Sequence, residues 1–533
     1  MQTPLVLIIM DGWGITTPGP GNAVSLAQTP NFNTYTNVYP STKLIASGEP
    51  VGLPKEDKGN SETGHLNIGA GRIVYQDLAR INLSIANGEF YNLTAFSNLA
   101  NYTQTHSSRL HLMGLLGAGG VHSSLEHLFA LLNIAKKNNI RELYLHLFTD
   151  GRDSPPTSAQ IYLDQVENQL LKLQLGKIAS ICGRYFAMDR DYHWERTQKT
   201  YDLLTQGIGQ EFSNAKEAVQ NSYQQGKTDE FIEPCLISKD GVIKEGDAVI
   251  FFNFRIDRPR QLTKAFVLSD FEEATVHHKA FDPYAEKYRS KETSPPNQPF
   301  NRTIVLKDLY FVTMTEYETG LPAHIAFPPE IVQLPLARIL SDQGLRQLHL
   351  AETEKERFVT YYFDGQREEP FYGEDRVEIP SLSVATYDLK PEMAAREVSK
   401  ELIERLQSGL YDFIVVNYAN PDMVGHTGVL KAGIQACEVV DECVGQVVRA
   451  VTTLGGVVLI TADHGNVEEM INLQTGQVDT EHSRNPVPLI LIDPQRRVNA
   501  LRTGILADIA PTILELLNIP QPESMSGQSL ILK

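Results

Sequence analysis

One pattern constrains this chain more than any other. Short apolar runs recur along it, and several end abruptly in residues able to bind metal ions or anions. The runs are Leu5–Met10, Leu143–Phe148, Lys177–Cys182, Ala248–Phe252, Phe413–Tyr418, Val457–Ala462 and Val487–Ile492. They are too short for helices and too uniformly apolar to alternate between core and water. They read as strands buried on both faces, as in parallel sheets. Between them lie amphipathic helical patterns. Ser123-Ser124-Leu125-Glu126 has the form of a capping box opening a helix with Leu125, Leu128, Phe129 and Leu132 on one face. Ile434, Cys437, Val440, Val444, Val447, Val448 and Val451 keep helical spacing up to a stop at Gly455-Gly456. Strands alternating with helices specify the α/β class.

A length of 533 residues allows three or four ordinary domains or two large ones. The 65 Asp and Glu outweigh the 47 Lys and Arg, a net charge of −18, which excludes a general nucleic-acid or anionic-membrane surface. An arginine cluster in so acidic a chain therefore points to a local anion site. No run reaches a membrane span, and Asp11 interrupts the first apolar run too early for a signal peptide. The cysteines Cys182, Cys235, Cys437 and Cys443 form no CxxC pair, so a reducing, cytoplasmic setting is expected. The polar stretch from Ser269 to Arg302 reads as a surface insertion or linker, or equally as an ordered loop with a short helix.

Three strand ends carry the same kind of chemistry. Leu5–Met10 runs into Asp11, Phe413–Tyr418 into Asp422 with His426 four residues on, and Val457–Ala462 into Asp463-His464. His482 is a further candidate. In open α/β sheets ligands bind at the carboxyl ends of strands. Carboxylates and imidazoles suit Zn²⁺ or Mn²⁺, and a site rich in carboxylate with open positions suits catalysis. Ser61 lies between Gly59 and Gly64 and reads as a helix cap or as a nucleophile. As a nucleophile it needs a base or a metal, and metal activation is the natural option because no triad spacing is evident. Arg152, Arg184, Arg190, Arg255 and Arg258 also follow strands, where converging guanidinium groups would bind a ligand with carboxylate and phosphate groups.

Read together, Met10-Asp11-Gly12-Trp13-Gly14, Gly59-Asn60-Ser61-Glu62-Thr63-Gly64-His65, Gly120-Val121-His122-Ser123, Asp150-Gly151-Arg152-Asp153, Phe254-Arg255-Ile256-Asp257-Arg258, Ala351-Glu352-Thr353-Glu354-Lys355, Asn420-Pro421-Asp422-Met423-Val424-Gly425-His426 and Thr461-Ala462-Asp463-His464-Gly465-Asn466 span nearly the whole chain. In kind and order they resemble the cofactor-independent phosphoglycerate mutases of the alkaline phosphatase superfamily. That resemblance implies an alkaline-phosphatase-like, metal-binding domain from residues 1–76 and 326–533. A second α/β domain, residues 77–325, would be inserted into it to bind substrate. The resemblance implies two divalent ions, manganese by expectation. Asp422, His426 and His482 would hold one, and Asp11, Ser61, Asp463 and His464 the other. It makes His122, Arg152, Asp153, Arg184, Arg190, Arg255, Arg258 and Lys355 the substrate residues, with Ser61, Asp153 and Lys355 catalytic. The implied reaction interconverts 3-phosphoglycerate and 2-phosphoglycerate through a phosphoserine, in a cytoplasmic monomer without nucleic-acid or membrane partners. A phosphomonoesterase or phosphodiesterase of the same superfamily is the alternative. The stretch 269–302 looks longer than in typical members.

Overall fold

The computed structural model describes residues 3–273, 298–472 and 475–532. The chain divides into two compact units, Met1–Ala79 with Glu330–Lys533, and Arg80–Pro329. The first segment supplies strands β1 (Leu5–Met10) and β2 (Ser41–Ile45). The middle segment supplies β3 (Leu110–Leu116), β4 (Leu143–Thr149), β5 (Lys177–Gly183), β6 (Gln210–Glu211), β7 (Cys235–Leu236), β8 (Ala248–Phe251), β9 (Tyr310–Thr315) and β10 (His324–Phe327). The last supplies β11 (Gln347–Glu352), β12 (Glu374–Ile379), β13 (Phe413–Tyr418), β14 (Val457–Thr461), β15 (Val487–Ile492) and β16 (Gly504–Ile505).

The discontinuous unit holds a sheet of order β12-β11-β13-β1-β14-β15-β2-β16, and the continuous unit one of order β10-β9-β8-β3-β4-β5-β7-β6. The α/β class expected from the alternation is what the chain forms. All six residues of β1 are buried, as are those of β13 and β15. Fully burying one such Val, Leu or Ile is worth about 1.5–3 kcal/mol, so the sheet centres, not the caps, hold each unit together.

Two expectations need correction. Val487–Ile492 reads as a parallel-type strand, yet β15 runs antiparallel to both β14 and β2. Uniform apolarity reports burial on both faces and carries no information on direction. The helix Leu125–Lys137 is capped by Ser124, not by the first residue of the box. Ser123 instead donates its hydroxyl to Leu115 O at 2.6 Å. The stretch from Ser269 to Arg302, expected as a linker or an ordered loop, is described only at its two ends, and both are anchored. Phe271 and Phe300 are buried in the core of the continuous unit, and Arg302 donates to Glu272, Ala265 O and Leu268 O. Residues 274–297 of that stretch lie outside the described residues. Among the described residues, no helix is long and apolar enough to cross a membrane.

Candidate active site

β1 lies between β13 and β14, parallel to both and in register, with Met10 beside Tyr418 and Ile9 beside Thr461. Three adjacent strands therefore end on the same edge, which sets Asp11, Asp422, Asp463 and His464 side by side. Close approach is enforced at Gly12, whose φ is +72° and where a Cβ would lie 2.8 Å from Asp422 Cα. Its amide donates to Asp463 Oδ1 at 3.2 Å.

Ser61 is the first residue of helix Ser61–Ala70. Asn60 caps that helix, accepting Thr63 N at 2.9 Å, so the Ser61 hydroxyl is not consumed as a cap. It points instead into the strand-end cluster. Ser61 Oγ lies 3.0 Å from His464 Nε2, 2.8 Å from Lys355 Nζ and 3.3 Å from Asp11 Oδ1. The helix amino terminus beside it favours negative charge. Lys355 Nζ also donates to Asp11 Oδ1 and Asp422 Oδ2, each at 2.7 Å. Burial opposes its charge, but Asp11, Asp422 and Asp463 outweigh burial and hold the ammonium well above its usual range. Burial likewise opposes charge on His464, and Asp463, Asp422 and Asp11 push it up to about 10.

Asp422, His426 and His482 test whether the site suits a cation. His426 Nδ1 faces Thr480 O at 2.8 Å and His482 Nδ1 faces Gly59 O at 2.7 Å. A carbonyl only accepts, so these partners assign the proton of each neutral ring to Nδ1. Both Nε2 atoms then turn lone pairs on each other across 3.0 Å, and each lies 3.2 Å from Asp422 Oδ1. With both rings neutral, three acceptors meet with no donor among the three; without a cation, burial opposes charge on His426, but the Asp422 carboxylate outweighs it and raises His426 above its usual value. Ligands about 2.0–2.2 Å from a tetrahedral ion lie about 3.4 Å apart, so this trio fits a divalent cation. Asp11, Asp463 and His464 form a second cluster of ligand-type groups, in which the buried Asp463 Oδ2 lies 3.2 Å from His65 Nδ1.

Sequence reasoning assigned no role to the residues that orient this set. His65, one turn after Ser61, faces Ser61 O through Nδ1 at 2.9 Å and receives Asn417 Nδ2 at 3.0 Å. Asn417 also donates to Asp11 Oδ2 at 2.7 Å. Asn466 donates to Asp422 Oδ1 at 2.9 Å, and Glu468 accepts the amides of Gly14 and Asn466. The available signals were the i,i+4 spacing of Ser61 and His65 and a lone polar Asn417 inside an apolar run.

The continuous unit gathers His122, Asp153, Arg184, Arg190, Arg255 and Arg258, with Asp257 as a hub that sequence reasoning gave no role. Asp257 accepts Arg190 Nη1 at 2.7 Å, faces Arg255 Nε at 3.3 Å and lies 3.8 Å from His122 Nδ1. Arg184 is buried between Asp150 and Asp153, and Arg258 donates to Met188 O at 3.0 Å. Arg152 pairs with Glu230 and is half exposed. Burial, with Arg184 and Arg190 nearby, brings Arg258 down to about 10. Burial, reinforced by Arg184, Arg255 and Arg258, brings His122 down to about 3, so its ring is neutral at working pH. Mutually repelling guanidinium groups are relieved by a bound anion. Lys355 lies in the discontinuous unit, at Ser61.

One titration bears on the strand that delivers Lys355. Burial pushes Glu352 up to about 7, against the lowering contacts from Ser381 and Ala394. A carboxyl raised above its unfolded value favours folding while protonated. That contribution is complete below about pH 4.5 and is lost by about pH 7, some ~3 kcal/mol in all. Denaturant unfolding should therefore show wild type losing ground to Glu352→Gln as pH rises from about 5 to 8. Parallel pH profiles would count against it.

Comparison with known proteins agrees with this geometry. The family described as BPG-independent PGAM N-terminus matches residues 81–319. The chain is 51% identical to the 2,3-bisphosphoglycerate-independent phosphoglycerate mutase of Chloroflexus aggregans, covering 99% of each protein. It is 49% identical to that of Moorella thermoacetica, covering 100% of this chain and 99% of the relative. A crystal structure of Leishmania mexicana phosphoglycerate mutase at low cobalt concentration superposes with a TM-score of 0.61 at 31% identity, over 100% of this chain and 98% of that one. Agreement of this extent, over the full length of both chains, places the protein in the family of 2,3-bisphosphoglycerate-independent phosphoglycerate mutases.

Proposed function

We propose that this protein interconverts 3-phosphoglycerate and 2-phosphoglycerate, an isomerisation within glycolysis and gluconeogenesis, through a phosphoserine at Ser61 and without 2,3-bisphosphoglycerate. The observation that carries this reading is the placement of Ser61 Oγ, within 3.3 Å of Asp11, His464 and Lys355 at the end of three parallel strands. The discontinuous unit would bind two metal ions, manganese by preference, and the continuous unit the substrate. Asp422, His426 and His482 would hold one ion, and Asp11, Ser61, Asp463 and His464 the other. Bound there, such ions offset charge on transferring phosphoryl oxygens and ease deprotonation of a hydroxyl.

The protein's own groups do the rest. Arg152, Arg184, Arg190 and His122 would hold the glycerate carboxylate and hydroxyls, while Arg255, Arg258 and Lys355 take the phosphoryl oxygens. Ser61 Oγ attacks phosphorus and the bond from phosphorus to the substrate oxygen breaks, leaving phosphoserine and bound glycerate. Asp153 carries the proton between the 2- and 3-oxygens, giving it to the leaving oxygen and taking it from the attacking one. The second hydroxyl then receives the phosphoryl group from Ser61. Exclusion of water during the intermediate separates mutase from phosphatase. We place the enzyme in the cytoplasm as a monomer; its four buried, unbonded cysteines suit a reducing compartment.

An enolase-coupled assay on 3-phosphoglycerate tests this. Turnover is expected without added 2,3-bisphosphoglycerate, with loss on chelation and recovery with Mn²⁺. Phosphate release as fast as mutation would overturn the mutase reading in favour of a hydrolase.

A further inference from the structure

The segment just after Lys355 contains a π-helix, Phe358–Tyr362. Phe363 N donates to Phe358 O at 3.1 Å, five residues back, whereas Asp364 N donates to Thr360 O at 2.8 Å, four residues back. Between these two bonds the ladder skips Val359 O. A buried carbonyl needs a donor from elsewhere.

His349, on β11, faces this carbonyl: a neutral imidazole donates through one nitrogen, and the shorter of its two contacts assigns that proton to Nδ1. Its Nδ1 lies 2.6 Å from Val359 O, and its Nε2 lies 3.2 Å from Gln347 Oε1. The Gln347 amide nitrogen is itself committed to Ala337 O at 2.8 Å, which fixes the orientation of that amide. Behind the imidazole, Asp364 Oδ1 is buried without a hydrogen-bond partner, 3.7 Å from His349 Nδ1. The other Asp364 oxygen accepts Arg376 Nη2 at 2.6 Å, and Arg376, paired across the strands with His349, also holds Glu374. Arg376 is thus shared by two buried carboxylates, and the imidazole joins this network to the Val359 carbonyl of the turn.

The turn is fixed on its far side as well. A Cβ at Gly69, on the Ser61 helix, would lie 2.0 Å from Phe363 O. Lys355 begins the turn, its carbonyl accepting Phe358 N at 3.1 Å. One residue more or less in such a turn rotates the chain on its amino-terminal side by about 100° relative to the chain on its carboxyl-terminal side. Whether the turn stays π or relaxes to α therefore decides where Lys355 points while Phe363 stays put.

We propose that His349 is a positioning residue: by donating Nδ1–H to the carbonyl that the π-helix leaves over, it keeps Lys355 Nζ on Ser61 Oγ. The proposal rests on the reading of Ser61 and Lys355 as reactive groups. His349→Leu removes the donor, while His349→Asn places an amide nitrogen at the position of Nδ1. In the coupled assay with Mn²⁺, kcat of H349L should fall by about 30-fold or more with KM within about threefold, and H349N should recover most of the loss. A merely structural role predicts a lower melting temperature with unchanged kcat per folded molecule, which would overturn the proposal. So would H349N performing no better than H349L. In the wild type, which needs no variant to fold, the imidazole Nδ1 proton should be observable by NMR and slow to exchange, and rapid exchange with solvent would also overturn it. Absence of mutase turnover in the wild type would defeat the functional reading instead. The clamp would then be judged by hydrogen exchange at the Phe363 and Asp364 amides, faster in H349L if it holds and unchanged if it does not.

Discussion

Replacing Ser61 with alanine is expected to reduce mutase turnover by at least ~10⁴-fold, as loss of a nucleophile does where no neighbour can substitute. Among the described residues around the strand ends, the remaining side chains include carboxylates, imidazoles, amides and an ammonium already engaged with one another. The fold should survive. Asn60 caps the helix, and Lys355 keeps its contacts to Asp11 and Asp422. Rapid acid quench with radiolabelled substrate should trap phosphoserine in the wild type and none in S61A. Wild-type turnover in S61A, or label at another residue, would remove Ser61 from the mechanism.

The second large effect concerns Lys355. Its ammonium is the nearest compensating cation for Asp11 and Asp422, all three groups being buried. Removing one partner of a buried ion pair costs about 3–5 kcal/mol, because the charges left behind lose their closest counter-ion away from water. Lys355→Met keeps the volume and removes the charge, so metal-free K355M should melt several degrees below wild type. A divalent ion held among the same carboxylates supplies positive charge by another route and adds about 4 kcal/mol at a thousandfold excess over its dissociation constant. The stability gap should therefore narrow on adding Mn²⁺ while turnover stays low. Equal melting of the two metal-free proteins would show that the ammonium does not balance these carboxylates.

Much of this site was legible because its carboxylates and imidazoles sit at the ends of apolar runs. The β1, β13 and β14 runs announce burial, and Asp11, Asp422 and Asp463-His464 break them in the same way. What was missed is polar and buried. β11 reads Gln347-Leu348-His349-Leu350-Ala351-Glu352, so its polar residues hide a strand in which every position is buried. Gln347 and His349 are satisfied by Ala337 O and Val359 O, partners too distant in sequence or too irregular to infer. β3 hides in part for the same reason, with His111 bonded to His146 and Asp247. His65, Asn417 and Asp257 belong to this class. Their importance lies in what they touch, and pattern alone gives residue types without partners.

The order of strands also bears on how the chain matures. β1 is made first but its sheet neighbours, β13 and β14, begin at Phe413 and Val457. On a ribosome, Asp11 and Ser61 therefore wait for most of the polypeptide before their strand gains either neighbour. The intervening eight strands, β3 to β10, close a sheet of their own from contiguous sequence and can do so while synthesis continues. Until then β1 lacks the neighbours that bury it, and apolar strands left uncovered during synthesis are prone to aggregate.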